Sequence, residues 1–292
     1  MIGRMSSDMK NILKKTHNRI IRNSFKFCER YFQVHLTPLH YYSPIPVTYQ
    51  LDEKVYAKEF ACKGIDWREP AQIAFIKEAA KKYAGEFTPE KNSGLSLVDA
   101  FLLYSMLREK KPRVVIEVGS GYTTLISLKA LAKNAEEGHG YAFTAIEPYP
   151  RPFLKEIRDE HFTLVEKKLQ DVPIELFASC DLLFIDSSHV SKIDSDVNYE
   201  ILEIIPTLKK GCVIHWHDIA LPYNYKKEWV QHGNMFFNES YLVHAFMLFN
   251  TSFAILCASR YLQTKHAGLM KAAFPYLTDE HYLSSFWIQR VS

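Results

Sequence analysis

The run Val114-Val115-Ile116-Glu117-Val118-Gly119-Ser120-Gly121 limits what this chain can fold into more than any other stretch. Three β-branched residues lead into an acid, and Val118 then precedes two glycines one residue apart. Leu125 to Leu131 follows with helical character. The pattern reads as strand, tight turn, helix. The glycines permit the turn and let a ligand approach the backbone closely. The helix start beyond them offers free N–H groups to a polar or anionic ligand. Glu117 sharpens the pattern, because a carboxylate at the end of a buried strand is costly unless something pairs with it.

Further runs repeat the alternation. Residues 141–146, 162–165, 181–186, 212–218, 253–258 and 285–290 read as strands, while 67–84, 95–110, 151–160, 194–209 and 238–250 read as helices. Strands alternating with helices imply an α/β fold with a mostly parallel sheet covered on both faces. The apolar helix 95–110 is expected against that sheet, with Asp99 and Tyr104 more suited to core or surface than to a site. Breaks fall at Ser93-Gly94 and at the turn Gly138-His139-Gly140.

Composition removes several classes. The chain is 47% hydrophobic and 24% charged, ordinary for a globular protein, and its net charge of +3 gives no reason to expect nucleic acid. Its polar, basic start has no signal-peptide pattern, and no apolar run reaches membrane-spanning length. The five cysteines, Cys28, Cys62, Cys180, Cys212 and Cys257, form no C-x-x-C pair. Reduced thiols and a cytoplasmic location are the expectation, rather than a disulfide framework or a zinc site.

Residues 1–92 read as a separate N-terminal part. Arg4, Lys10, Lys14, Lys15, Arg19, Arg22, Lys26 and Arg30 stand against only Asp8 and Glu29, with Leu13, Ile21, Phe25, Cys28 and Phe32 near helical spacing. Such a basic amphipathic helix suits an anionic membrane surface, or else a partner, its own domain or a second copy of the chain in a homo-oligomer. The proline- and tyrosine-rich stretch 35–46 is expected to be extended, either closing over a pocket or covering the core.

In a parallel α/β sheet, ligands bind beyond the carboxyl ends of the strands, where strand order reverses. Four strand ends carry polar residues here: Glu117-x-Gly-x-Gly, Glu147, Asp186-x-x-His189 and His215-x-His217-Asp218. Glu147 stands where an acid accepts the hydroxyls of an adenosine ribose. A dinucleotide fingerprint wants a third glycine where Thr124 stands, and it has no need of an acid at Glu117. A carboxylate there suits a ligand with a positive charge, such as an amino-acid tail.

These residues carry a resemblance. Glu117-Val118-Gly119-Ser120-Gly121 resembles the first motif of class I S-adenosylmethionine (SAM)-dependent methyltransferases, and Glu147 resembles their second. The segments 184–189 and 214–219 resemble a small-molecule branch found in bacterial polysaccharide and natural-product pathways. The resemblance covers about residues 93–290, making 93–292 the methyltransferase domain. It implies a Rossmann-like seven-stranded, mostly parallel sheet with a reversed last strand, helices on both faces and an N-terminal helical extension.

It also implies roles. Gly119, Ser120, Gly121 and Thr123 would face the cofactor, with Glu117 toward its amino-acid end and Glu147 on its ribose. Gln170-Asp171 is the candidate for the adenine end. Asp186, beside both cofactor and acceptor, joins His189, His217 and Asp218 where the acceptor should sit. An acceptor hydroxyl needs a proton acceptor, for which histidine is suited. His189 and then His217 are the candidates. By the two-residue period His215 and His217 share a strand face and Trp216 and Asp218 the other, so these groups are not all expected to reach one point. His215, deeper in the strand, reads as a core histidine.

Asp186 and Asp218 are alternatively ligands for Mg²⁺, as in relatives of catechol O-methyltransferase, although Ile219 stands where their adjacent Asn ligand would be. Asn238-Glu239 opens a helix, where capping is the simpler role. The leading expectation is therefore O-methylation of a small molecule or glycan precursor, with Tyr223, Tyr225 and Trp229 shaping the acceptor pocket. The alternatives are a metal-dependent oxygenase on the same fold and a non-catalytic cofactor-binding module.

Overall fold

A computed structural model of the chain describes residues 7–90, 94–278 and 280–292. Arg4 and Ser93 lie outside the described residues, as do the side chains of Asp8, Lys10, Leu13, Lys14, Lys15 and Arg22. By packing, the chain divides into two compact units, Met1–Asp52 and Glu53–Ser292. The sequence reading drew its line at 92/93.

The first unit contains helix α1 (Ser7–Phe32), followed by residues 33–47 without helix or strand and a short 3-10 turn at Thr48–Gln50. Ile20, Phe27, Tyr31 and Phe32 are exposed along α1.

The second unit is the sheet and its helices. Its strands are β1 (Val114–Val118), β2 (Ala142–Ile146), β3 (Phe162–Val165), β4 (Leu182–Ile185), β5 (Val213–Trp216), β6 (Phe253–Ala258) and β7 (Phe286–Arg290). The helices before β4 are α2 (Glu53–Ala57), α3 (Glu69–Tyr83), α4 (Leu97–Lys110), α5 (Tyr122–Glu136) and α6 (Pro152–Glu156). After β4 come α7 (Asp196–Tyr199), a π-helical turn over Glu200–Ile204, α8 (Ile205–Thr207), α9 (Lys227–Gln231), α10 (Glu239–Met247), α11 (Ser259–Lys265) and α12 (Ala267–Ala273).

The sheet order is β3-β2-β1-β4-β5-β7-β6, with β1 to β5 parallel and β7 antiparallel to both neighbours. The sequence expectation of seven strands with a reversed last strand is met. Chain order turns around between β1 and β4, where neither loop crosses over the strand ends and a crevice opens. Residues 151–160 differ from expectation: only α6 is helical there, because Ile157 leaves the helix with extended backbone.

The core follows from composition. Strands β4 and β5 are buried along their whole length, as strands covered on both faces must be. Helix α4 is buried nearly all round, in keeping with its unbroken apolar run. Ser96 caps its start by accepting from the Asp99 backbone N–H at 3.0 Å. Asp99 is itself buried and receives four donors: the Ser96 hydroxyl, the Ser259 hydroxyl at the head of α11, and the backbone N–H groups of Ser284 and Ser285 before β7. One carboxylate thus ties three segments together beneath the sheet's carboxyl edge.

Candidate active site

Strand register builds the site. Val118 is paired with Ile146 on one side and Ile185 on the other, and Ile185 with Trp216. The next residue of each strand is therefore Gly119, Glu147, Asp186 or His217, and these four form a row along the carboxyl edge.

Gly119 is required at its place for two reasons. Its φ is +76°, and a Cβ there would lie 1.9 Å from the Asp186 carbonyl oxygen. The glycine lets the end of β4 press against the end of β1. Gly121 has φ −160° and nothing within 4 Å of a Cβ, so it answers to no such constraint. The Ser120 N–H donates to Glu147 Oε2 at 3.2 Å and the Tyr149 N–H to Glu147 Oε1 at 2.8 Å. Backbone donors from two loops thereby fix the Glu147 carboxylate at the crevice.

Glu117 is almost wholly buried and does not line the crevice. Its oxygens accept from the Thr123 hydroxyl at 2.7 Å and the Thr124 hydroxyl at 2.5 Å, both in the first turn of α5. Thr124, the residue that breaks the dinucleotide fingerprint, thus has a specific task. Burial pushes the Glu117 carboxyl up to about 8 despite these hydrogen bonds, and the charges of Asp186 and Glu147 push the same way.

A cavity of about 430 Å³ opens at the crevice. Gly119, Glu147, Gln170 and Asp186 line it, with Lys168 and Ser187 among its other walls. Of the remaining residues expected to bind cofactor, Ser120 contributes its backbone N–H to Glu147, Thr123 its hydroxyl to Glu117, and Asp171 is exposed outside the lining.

On the other side of Asp186 lies a charged cluster. Asp186 Oδ1 is 3.2 Å from both His189 Nε2 and His217 Nδ1. Asp218 approaches the same rings, at 3.7 Å from His189 Nε2 and 3.5 Å from His217 Nδ1. Glu239, fully buried at the start of α10, binds His189 Nδ1 at 2.8 Å. Of His215, Trp216, His217 and Asp218, which are not expected all to reach one point, only His217 and Asp218 come together, although the strand period assigns them to opposite faces. Strand period governs only as far as Trp216; Asp218 then takes φ +54° and swings its carboxylate back toward His217. His189 likewise has φ +58°, which folds its ring over the end of β4.

Burial opposes charge on His189, but the hydrogen bonds its ring donates to Asp186 and Glu239 outweigh it and hold the ring's pKa up at about 11. For His217 burial again opposes, while Asp186 and Asp218 raise it to about 9. Asp186, against its own burial, is held well below the usual carboxylate range by the two histidines. His215 is a different case: fully buried, stacked on Phe184 and bonded to the Ser285 hydroxyl, it is pushed well below its ordinary value and stays neutral.

The ligating atoms of Asp186, His189 and His217 all lie within 4.8 Å of one another, near enough to hold one metal ion. Asp218 flanks this set, with its Oδ1 taking the Ser284 hydroxyl at 3.1 Å. Glu239 was passed over in the sequence because a carboxylate at a helix start has a simpler use. Asn238 does not cap with its side chain either; its amide is bonded to the backbone of Ser191 on both sides.

Residues 116–219 match the family model described as Methyltransferase domain. An uncharacterized protein of Archaeoglobus fulgidus is 27% identical over 164 residues, spanning 49% of this chain and 73% of that one. Among solved structures, the SAH-bound Podospora anserina methyltransferase PaMTH1 is similar at 14% identity, 75% of this chain, 88% of that chain and a TM-score of 0.44. The O-methyltransferase TomG from Streptomyces achromogenes, in complex with SAM, is similar at 13% identity, 75% and 90% coverage and a TM-score of 0.42.

Proposed function

We propose that this chain, a class I SAM-dependent methyltransferase by its matched domain and its strand order, methylates a hydroxyl of a small molecule or glycan precursor. The observation that carries the acceptor half of this reading is the position of Asp186. It lines the crevice cavity on one side and holds two imidazoles on the other. A methyl donor in the cavity would therefore meet an acceptor at the histidines.

The crevice suits a cationic ligand. Glu147 and Asp186 both line it, while Glu117 behind them is held up at about 8 chiefly by its burial, with the charges of Asp186 and Glu147 adding to the shift. When bound, SAM supplies a sulfonium methyl group, whose S–C bond breaks as the O–C bond forms and leaves a neutral thioether. Glu147 would accept from the ribose hydroxyls, and Gly119 leaves room for close approach. The chain's remaining task is to orient the acceptor and take its proton.

For that proton we favour His217 over His189, reversing the order read from sequence. Both nitrogens of His189 are engaged, by Asp186 and Glu239, whereas among the described residues only Nδ1 of His217 has a partner. His189 then acts as a fixed cation that orients Asp186. His217 must arrive at the reaction neutral, and a sulfonium held nearby favours loss of its proton.

Calorimetric titration with SAM tests the cofactor half. Saturable binding is expected, weakened about tenfold or more in Glu147→Ala because a charge-assisted pair of ribose bonds is lost. Binding indifferent to that substitution sinks the assignment. A mass gain of one methyl group on a hydroxylated acceptor, lost in His217→Asn, tests the rest.

A second reading has its own observation. Two imidazoles and one carboxylate in one compact set suit a transition metal better than Mg²⁺, which prefers oxygen ligands. Asp186, His189 and His217 would hold the ion, with Asp218 beside them. When bound it would polarise an acceptor oxygen, or support oxygen chemistry if the metal is iron. Activity that survives EDTA speaks against an essential metal. Iron-dependent turnover without methyl transfer would favour the oxygenase instead.

For α1 we propose contact with an anionic membrane surface, supported by its basic residues and by the exposed Phe27, Tyr31 and Phe32. Among the described residues no helix is long and apolar enough to cross a membrane. Cosedimentation of the full chain, but not of residues 53–292, with anionic vesicles is the expected result.

A further inference from the structure

A second cavity, of about 520 Å³, lies between the 223–229 segment, the start of α11 and residues 280–282. Its walls hold Tyr223, Tyr225, Trp229 and Tyr282 together with Lys226, Arg260 and Lys227, of which Lys227 is paired with Glu53. The Arg260 guanidinium lies 4.4 Å from the Tyr282 ring centre and 5.6 Å from that of Tyr223. Lys226 Nζ is 4.0 Å from the same Tyr282 ring and 5.4 Å from that of Trp229. Two positive charges therefore share one aromatic ring.

The charges of Glu228 and Asp218 act on Lys226 from a distance, without direct contact. Among the described residues neither Lys226 nor Arg260 forms an ion pair, and Glu228 and Glu280 stand exposed at the rim. Arg260 spends one terminal N–H on Gln263 Oε1 at 2.9 Å, while its Nε is buried without a partner. The Tyr282 hydroxyl is buried and unpartnered as well. Burial and the charge of Arg260 disfavour protonation of Lys226 more than Glu228 and Asp218 favour it. Unmatched cations and orphaned donors around one space are costly to keep unless a ligand satisfies them.

The wall of this cavity also packs against the candidate reacting centre. Trp229 and Tyr225 pack on Phe237, and Phe237 lies 4.9 Å from the His189 ring. Two residues beyond Tyr282, Ser284 holds Asp218. The charge of Asp218 also reaches both Lys226 and Tyr282, so the cations and the histidine cluster are neighbours.

We infer that this cavity binds a phosphate group carried by the methyl acceptor, held by Arg260, Lys226 and the Tyr282 hydroxyl. Two cations and a hydroxyl donor match the charge and the several oxygens of a phosphate better than a single carboxylate. The inference rests on the methyl-transfer reading only in calling the ligand the acceptor.

The test is calorimetric titration of the full chain, in saturating SAM, with inorganic pyrophosphate, glucose 6-phosphate, glucuronate and glucose. Both phosphates are expected to bind saturably, glucuronate more weakly than glucose 6-phosphate, and glucose not at all over the same range. Arg260→Gln should weaken phosphate binding about tenfold or more while leaving SAM affinity unchanged. Lys226→Gln should also weaken it, and carries the test if the arginine variant does not fold. Absence of phosphate binding, equal affinity for glucuronate, or affinity unmoved by these substitutions overturns the inference. Loss of SAM binding with phosphate binding intact would instead sink the methyl-transfer reading and leave the cavity assigned.

Discussion

At the scale of single residues, the glycine turn and the acid before it make separate demands. Gly119→Ala places a methyl group on the Asp186 carbonyl in a left-handed backbone, so both clash and conformation oppose it. A loss of about 2–5 kcal/mol in denaturant unfolding is expected, with cofactor affinity falling alongside. An alanine variant as stable as the parent would remove the close approach from the argument. Glu117 predicts a pH effect with a definite sign. Its carboxyl is raised from an ordinary 4.5 to about 8 in the fold, so the folded state binds more protons in that interval. Stability from this group is full below about pH 4.5 and is lost as pH rises through about 8, on the order of a few kcal/mol. Glu117→Gln should remove this decline, read as the difference in unfolding free energy between pH 5 and 9.

At the scale of elements, the end of β5 and the start of α10 decide what the histidines can do. The backbone N–H groups of Asn238 and Glu239 both donate to the His189 carbonyl, and the Glu239 carboxylate holds the ring. Helix α10 therefore grips His189 at both backbone and side chain. Glu239→Gln keeps the shape and removes the charge, so methyl transfer should fall about ten- to a hundredfold with SAM affinity preserved. Unchanged turnover would relieve Glu239 of any positioning role. This scale also separates what could be read in the sequence from what could not. The strand, glycine turn and helix around residues 114–131 are legible because strand periodicity, turn residues and helix pattern are all local. Glu239 is 50 positions from His189, and nothing in local pattern joins them. Asp218 was misdirected by a sound rule, the alternation of side chains, which ends where the strand ends. Arg260 and Lys226 sit on elements too far apart for any spacing to reveal a shared ring.

At the scale of the whole molecule, all seven strands and every residue of both cavities lie within Glu53–Ser292. Residues 53–292 expressed alone should fold cooperatively and bind SAM as the full chain does. A fragment that aggregates or fails to bind would show that the first unit has a part in the fold. The count of seven strands and the reversed last one were legible because they follow from the resemblance carried at β1. The place at which residues 53–92 join the sheet was not, since contact of α3 with β6 and α4 is a tertiary matter.

Asp99 has a consequence of this larger kind. It fastens Ser259, the neighbour of Arg260, and Ser284, which holds Asp218, to the rigid start of α4. On the proposals above, a phosphate at Arg260 and a hydroxyl at His217 would be set at a fixed separation by one buried carboxylate. The enzyme would act as a caliper, and regiochemistry would follow from how far along the acceptor each hydroxyl lies from its phosphate.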